Sequence, residues 1–174
     1  MLQDKPDEIR ELQKIGTSLT PINSGLIKTK TRKRKSEKVY PKGYVYDFYQ
    51  DIQSIIRKAK KEVFLIDSYA DEEILDLYLA KMPKTVEIRI LTKEPKGNFV
   101  KVATKFKMKP DIKFEVRKSD DCHDRLFFID DQCWISGQSV KDAGKKPTYL
   151  VKIDASDTFK KVFDELWKNS KRIL

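Results

Sequence analysis

The sequence predicts an α/β protein: a mixed, mostly parallel sheet flanked by helices. Two observations lead there. Apolar runs of strand length, some alternating with period two, take turns with stretches of helical period. The segments between them are short and polar, and no internal repeat points to another architecture. Strands that alternate with helices pack as a sheet covered on its faces.

The elements follow in order. DKPDEIRELQKI, residues 4–15, predicts a short helix, with Pro6 in its first turn and Ile9, Leu12 and Ile15 on one stripe. Gly16, Pro21 and Gly25 then break the pattern, and the basic run 28–38 has no apolar period, which predicts an extended or disordered tether. Aromatic residues arrive with VYPKGYVYDFY, so the domain is expected to run from 44 to 174, after an N-terminal segment 1–43. Phe48, Ile52, Ile55, Ile56 and Ala59 predict an amphipathic helix over 46–60. EVFLID, 62–67, is an apolar run of strand type, and DEEILDLYLAKM, 71–82, reads as a helix with acids in its first turn. TVEIRILT, 85–92, alternates like a strand; 98–108 reads as a helix and 112–118 as a strand. Two short strands, 124–130 and 132–136, precede TYLVKI, 148–153. A last helix starts near Ser156, read as its N-cap, and carries Phe159, Val162, Phe163, Leu166 and Trp167 on one face.

Composition narrows the class. The 174 residues are 39% hydrophobic, enough for one domain with a core. No run of 18 apolar residues occurs and the first residues are polar, so the expectation is a soluble cytoplasmic protein. Cys122 and Cys133 are too few for a disulfide framework, and a hairpin turning near Asp130 and Asp131 sets Cys133 opposite residue 128 or 129, away from Cys122. Both thiols are expected to be reduced. With one histidine and no CxxC pair, neither a metal nor another cofactor is expected.

That histidine is His123, in CHDRLFFID, 122–130. On a strand, alternate side chains share a face, so His123 and Arg125 are expected to project together and Asp130 to the other side. A guanidinium binds phosphate in bidentate fashion, and a nearby cation keeps an imidazole neutral and nucleophilic. Blander readings stand beside this one. His123 would sit at a strand end without chemistry, Arg125 would pair with Asp121, Asp124 or Asp130, and Asp130 and Asp131 would form a hairpin turn. Gly137 would serve the backbone, and Lys141, Lys145 and Lys146 a solvated loop.

His123, Arg125 and Asp130, followed by Gly137 and Ser139, resemble the HxK-x4-D-x6-GS signature of the phospholipase D superfamily in their spacing. The order of elements from Tyr44 onward is similar to one half-domain of that fold. The resemblance implies a histidine nucleophile, His123, with Arg125 and Ser139 on the phosphate, Asp130 in support, and Gly137 and Lys141 beside them. It implies a homodimer, because the family's active sites join two such motifs and this chain has one. Arg125 stands where the family has lysine, Gln138 where its serine follows the glycine, and Lys141 where it often has asparagine. HDR together with GQSVKDAGKK resembles a divergent branch in which the fold serves binding rather than cleavage. Two functions follow as expectations: a metal-independent phosphodiesterase acting on nucleic acid, and a silent module of the same fold that binds nucleic acid or anionic phospholipid.

The net charge of +10 lies mostly in the N-terminal segment. Residues 1–44 carry 11 basic and 5 acidic side chains, a balance of +6, and the rest carry 26 and 22, a balance of +4. Lys28, Lys30, Arg32, Lys33, Arg34, Lys35 and Lys38 face a single acid, Glu37, within eleven residues. Such a run attracts a polyanion by releasing its counterions, without reading sequence. Nucleic acid is the expected partner and an anionic membrane surface the alternative. The run lacks the aromatic residues that base stacking needs and the apolar face that membrane insertion needs. Lys101, Lys105, Lys107 and Lys109 would extend the basic surface in the body of the domain.

Overall fold

EVFLID buries nearly its whole length because both of its sides are apolar, and a strand of that kind belongs in the middle of a sheet covered on two faces. The computed structural model describes residues 37–142 and 145–174, with Lys141 described by its backbone alone. The expected helix over 4–15 and the basic residues from Lys28 to Lys35 lie outside them. Among the described residues eight strands form one sheet: β1 Glu37–Tyr40, β2 Glu62–Asp67, β3 Glu87–Thr92, β4 Lys113–Lys118, β5 Arg125–Ile129, β6 Gln132–Ser136, β7 Thr148–Ile153 and β8 Lys171–Arg172. Their spatial order is β1-β7-β6-β5-β2-β3-β4-β8.

The sheet is mixed, as expected, with its balance on the antiparallel side. Only β2–β3 and β3–β4 pair in parallel, each through a helical crossover; β2–β5 and the pairs outward to both edges are antiparallel. The reason is local. From β5 to β7 no α-helix separates the strands and the chain turns back on itself, first through the two-residue hairpin Asp130–Asp131. Asp130 adopts φ 53° there, a left-handed conformation that aspartate tolerates. The hairpin sets Phe128 opposite Cys133, and both cysteines are free and buried. Burial pushes each thiol up to about 12, with the Asp67 and Asp124 carboxylates adding to the effect at Cys122.

Helices cover both faces. On one side lie α1 Val45–Ile56, a π-helix Ile74–Leu79 and α2 Phe99–Lys107, packed on Val63, Leu65, Ile88, Ile90 and Phe127. On the other, α3 Ser156–Asn169 packs Phe163 and Trp167 on Phe64, Ile66 and Phe128. The sequence predicts an α-helix over 71–82. Its buried residues fall in adjacent pairs, Ile74–Leu75 and Tyr78–Leu79, which the wider i→i+5 winding turns to the sheet. At α3 the cap position is Ala155 and Ser156 is already helical; the stripe is narrower than predicted, leaving Val162 exposed.

Two strands escape the sequence reading. β1 adds residues 37–40 ahead of the expected boundary at 44, and β8 pairs Arg117 and Lys118 with Arg172 and Lys171. Both are short, charged edge strands joined by backbone bonds more than by apolar pattern. Among the described residues no helix is long and apolar enough to cross a membrane.

Candidate functional site

The parallel strands end together at Asp67, Thr92 and Lys118, and β5 begins at that same edge, with Arg125 opposite Asp67. Paired residues share a face of the sheet, so an acid and a cation stand on neighbouring strands where the carboxyl ends of the strands open. Ligands of open α/β sheets bind at such edges. Asp67 is 1% exposed. Its Oδ2 accepts from Ser139 Oγ at 2.7 Å and from the Val140 amide at 3.1 Å, and its Oδ1 accepts from the Tyr69 amide at 3.0 Å. Asp67 therefore ties the segment after β6, including the 3₁₀ turn Val140–Asp142, to the end of β2.

With Asp67 so occupied, Arg125 makes no ion pair among the described residues, although Asp121, Asp124 and Asp130 are near in sequence. Its Nε is buried without a hydrogen-bond partner. It lines an open concavity of about 420 Å³ with Gly137, Gln138, Ser139, Asp142, Lys145 and Lys146. Among the described lining residues three cations face one acid, Asp142, which is paired with Lys145 at 3.3 Å. Gln138 Oε1 and Thr148 Oγ1 are also buried without partners. A buried donor without an acceptor is costly, so the arrangement favours an anion with several oxygen atoms.

The other predicted residues are dispersed. His123 lies in the loop before β5 rather than on the strand, so the parity that would align it with Arg125 does not reach it. Its side chain is exposed, has no hydrogen-bond partner among the described residues, and does not line the concavity. Asp130 is at the far end of β5, five residues from Arg125, roughly 16 Å along a strand. There its carboxylate accepts the amides of Lys60 at 3.0 Å, Lys61 at 2.8 Å and Glu62 at 2.9 Å. Ser139 lines the concavity, but its hydroxyl proton is directed to Asp67. Gly137 has a packing reason: a Cβ there would lie 2.8 Å from Tyr149 Cε1 and 2.9 Å from Thr148 Oγ1. Lys38 belongs to β1 and pairs with Asp51 at 2.6 Å, so it is not part of a free tether. Lys109 donates to the Ala80 carbonyl and lies over Phe106. Among the described residues no group of three or more His, Cys, Asp and Glu is placed to hold a metal ion.

Asp130 thus acts on the fold where it stands. Burial pushes its carboxyl up, but the Glu62, Lys61 and Lys60 amides outweigh burial and hold it below the usual carboxylate range. Its contribution is complete above the unfolded-state value near 4 and is lost as pH falls through the lower folded-state value. Asp130→Gly keeps the backbone angle and removes the acceptor. Because the site is partly solvated, the variant is expected to lose about 1–2 kcal/mol at pH 7. Urea unfolding of both proteins from pH 7 to pH 2 checks this: the difference should shrink below pH 4. A difference that does not change with pH would remove the carboxylate from the account.

The fold is similar to that of solved structures, among them one described as a phospholipase D family member. No family model and no curated relative matches the chain. Solved structures do. Nuc from Salmonella typhimurium, described as a phospholipase D family member, superposes with a TM-score of 0.61 at 17% identity, over 79% of this chain and 97% of Nuc. NucT from Helicobacter pylori gives 0.56 at 15% identity, over 79% of this chain and 99% of NucT. TrmBL2, described as an archaeal chromatin protein with a novel mode of DNA binding, gives 0.56 at 15% identity and covers 96% of this chain. The chain spans 64% of TrmBL2, just under two thirds. At these identities the likeness is one of fold.

The residue that sequence reasoning missed is Asp67. A signal was present: EVFLID is apolar until it ends on a carboxylate, and an acid closing a buried strand lies at the sheet edge where sites form. What it would hold, 72 residues away at Ser139, was not written in that spacing.

Proposed function

We propose that this domain recognises phosphate, binding nucleic acid at the Arg125 concavity without cleaving the strand it holds. One observation carries the reading: Arg125 lies in a basic hollow that neither His123 nor Asp130 lines. A nucleophilic imidazole needs a neighbour that fixes its tautomer and aims it, and His123 has none among the described residues. An arginine with a buried, unpartnered Nε suits a phosphate oxygen. The basic residues Lys28, Lys30, Arg32, Lys33, Arg34 and Lys35 would add attraction that does not depend on base sequence. The likeness to TrmBL2, whose description includes DNA binding and which covers 96% of the chain, supports the same reading.

A second reading keeps the enzyme. The exposure of His123 leaves its imidazole accessible to a second copy of the chain. In a homodimer, His123 would form a bond to phosphorus as the leaving oxygen takes a proton from the second copy's imidazolium. Water, giving its proton to the second copy's now neutral imidazole, would then form a bond to phosphorus and break the bond to the first histidine.

One set of samples separates the two. Wild type, Arg125→Ala and His123→Ala are titrated with labelled single-stranded and duplex DNA and with anionic phospholipid vesicles over a salt series in EDTA, and the DNA samples are run on gels. Salt-dependent binding is expected, with a log–log slope of roughly −5 on duplex if about six phosphates are neutralised. Arg125→Ala should weaken binding about 10-fold or more, the loss of a charged hydrogen bond, while His123→Ala binds as wild type. Cleavage that persists in EDTA and disappears in His123→Ala would replace this reading with the dimeric enzyme. Binding to anionic vesicles but to neither DNA would move the partner to a lipid surface.

A further inference from the structure

We infer that α2 carries a second contact for the phosphate backbone of nucleic acid, a row of lysines separate from the Arg125 concavity. The inference rests on the phosphate reading of that concavity and adds a surface to it. Charge in the body of the domain is concentrated in one place. Residues 98–113 carry five lysines and one acid, a balance of +4, while the other residues from 45 to 174 carry 21 basic and 21 acidic side chains. The whole excess of the body therefore lies on α2 and the turn that leads from it to β4.

The fold turns these cations outward and gives them no counter-charge. α2 buries Phe99, Ala103 and Phe106, and Phe106 meets Phe114 of β4 with ring centroids 5.0 Å apart. Lys101 and Lys105 are exposed on the other side of the helix, about 6 Å apart along its axis. Lys113 is exposed at the start of β4. Among the described residues Lys101, Lys105, Lys107 and Lys113 enter no ion pair. The one acid of the segment, Asp111, pairs instead with Lys84 at 3.5 Å, and Glu72 accepts from the Asn98 amide at 2.9 Å. Lys109 is held at the end of the row by the Ala80 carbonyl at 3.0 Å.

Like charges without partners in the protein gather counterions from solution, and a polyanion that releases those ions binds in their place. Each strand of a duplex offers a phosphate about every 3.4 Å of its axis, so lysines about 6 Å apart reach separate phosphates. The apolar side of α2 is packed on the sheet and is not free to enter a bilayer, which favours nucleic acid over a membrane surface. In the sheet order β4 is three strands from β5, roughly 14 Å away. At that separation α2 and Arg125 act independently.

The test titrates the full chain with labelled duplex DNA over a salt series in EDTA, as wild type, Lys101→Gln/Lys105→Gln, Arg125→Ala and the combination. Glutamine forms helix about as well as lysine, and thermal melts confirm that each variant is folded. Lys101→Gln/Lys105→Gln is expected to make the log–log salt slope shallower by about 1.8, two phosphate contacts at about 0.9 each. In the combined variant this loss should add to that of Arg125→Ala. Lys42→Gln/Lys161→Gln removes the same charge from exposed positions elsewhere and should keep the wild-type slope. A wild-type slope in Lys101→Gln/Lys105→Gln, or an equal change in both double variants, would overturn the α2 contact and leave phosphate binding at Arg125 intact. Absence of salt-dependent duplex binding by wild type would overturn both.

Discussion

Asp67→Ala is expected to lower stability by about 3 kcal/mol and to weaken DNA binding as well, although Asp67 does not line the concavity. The carboxylate is 1% exposed and receives the Ser139 hydroxyl and the Tyr69 and Val140 amides. Its removal leaves three donors near buried surface, each costing about 1–3 kcal/mol before relaxation. The Val140–Asp142 turn would then lose its tie to β2, and the wall formed by Gln138, Ser139 and Asp142 would loosen around Arg125. Asp67→Asn keeps a carbonyl acceptor for one of the amides and is expected to cost roughly half as much. Denaturant unfolding reads the first effect, as a lower midpoint with the slope unchanged. The salt titration described above reads the second. An alanine variant as stable as wild type would show that this acid is not the strut of the site.

Phe64→Ala should cost more, about 3–5 kcal/mol, the range for a large ring removed from a packed core. Phe64 is 0% exposed. It stacks on Phe128 at 5.8 Å between centroids, meets the Trp167 ring edge-on at 5.3 Å, and carries the Arg89 guanidinium 4.1 Å above it. Arg89 continues outward to Glu62, through Nε at 2.6 Å, and to Asp164 at 2.8 Å, while Lys160 reaches Glu62 at 2.9 Å. One ring thus seats the last helix and a charge network on the middle of the sheet. Trp167 reports the change directly: its near-ultraviolet dichroism should fall in Phe64→Ala even where the protein remains folded. Phe64→Leu, which fills most of the space, should cost about 1–2 kcal/mol. A loss below about 1 kcal/mol for the alanine variant would mean that α3 is anchored elsewhere.

The elements that could be read from the chain are those whose own residues decide their burial. EVFLID, QCWIS and TYLVKI are strands wherever they are placed, because their apolar faces need covering, and the two-aspartate turn sets the pairing of Phe128 with Cys133. The spacing of His123, Arg125, Asp130, Gly137 and Ser139 was legible too, and it led to the right fold. The same spacing does not gather Arg125 and Asp130 at one place, for a geometric reason. A strand moves the chain more than 3 Å per residue, so residues five apart on β5 lie at opposite edges of the sheet. Arg125 opens to the concavity while Asp130 closes a turn.

The sequence alone therefore determined the alternation of strands and helices, the hairpin register and the basic character of the first segment. Each follows from local period, turn chemistry or charge. Only the tertiary structure decided that Asp67 meets Ser139, that Tyr149 rests on Gly137, and that the edge strands are Glu37–Tyr40 and Lys171–Arg172. Those choices belong to backbone pairing and close approach between distant segments, and no periodicity within a single segment encodes them.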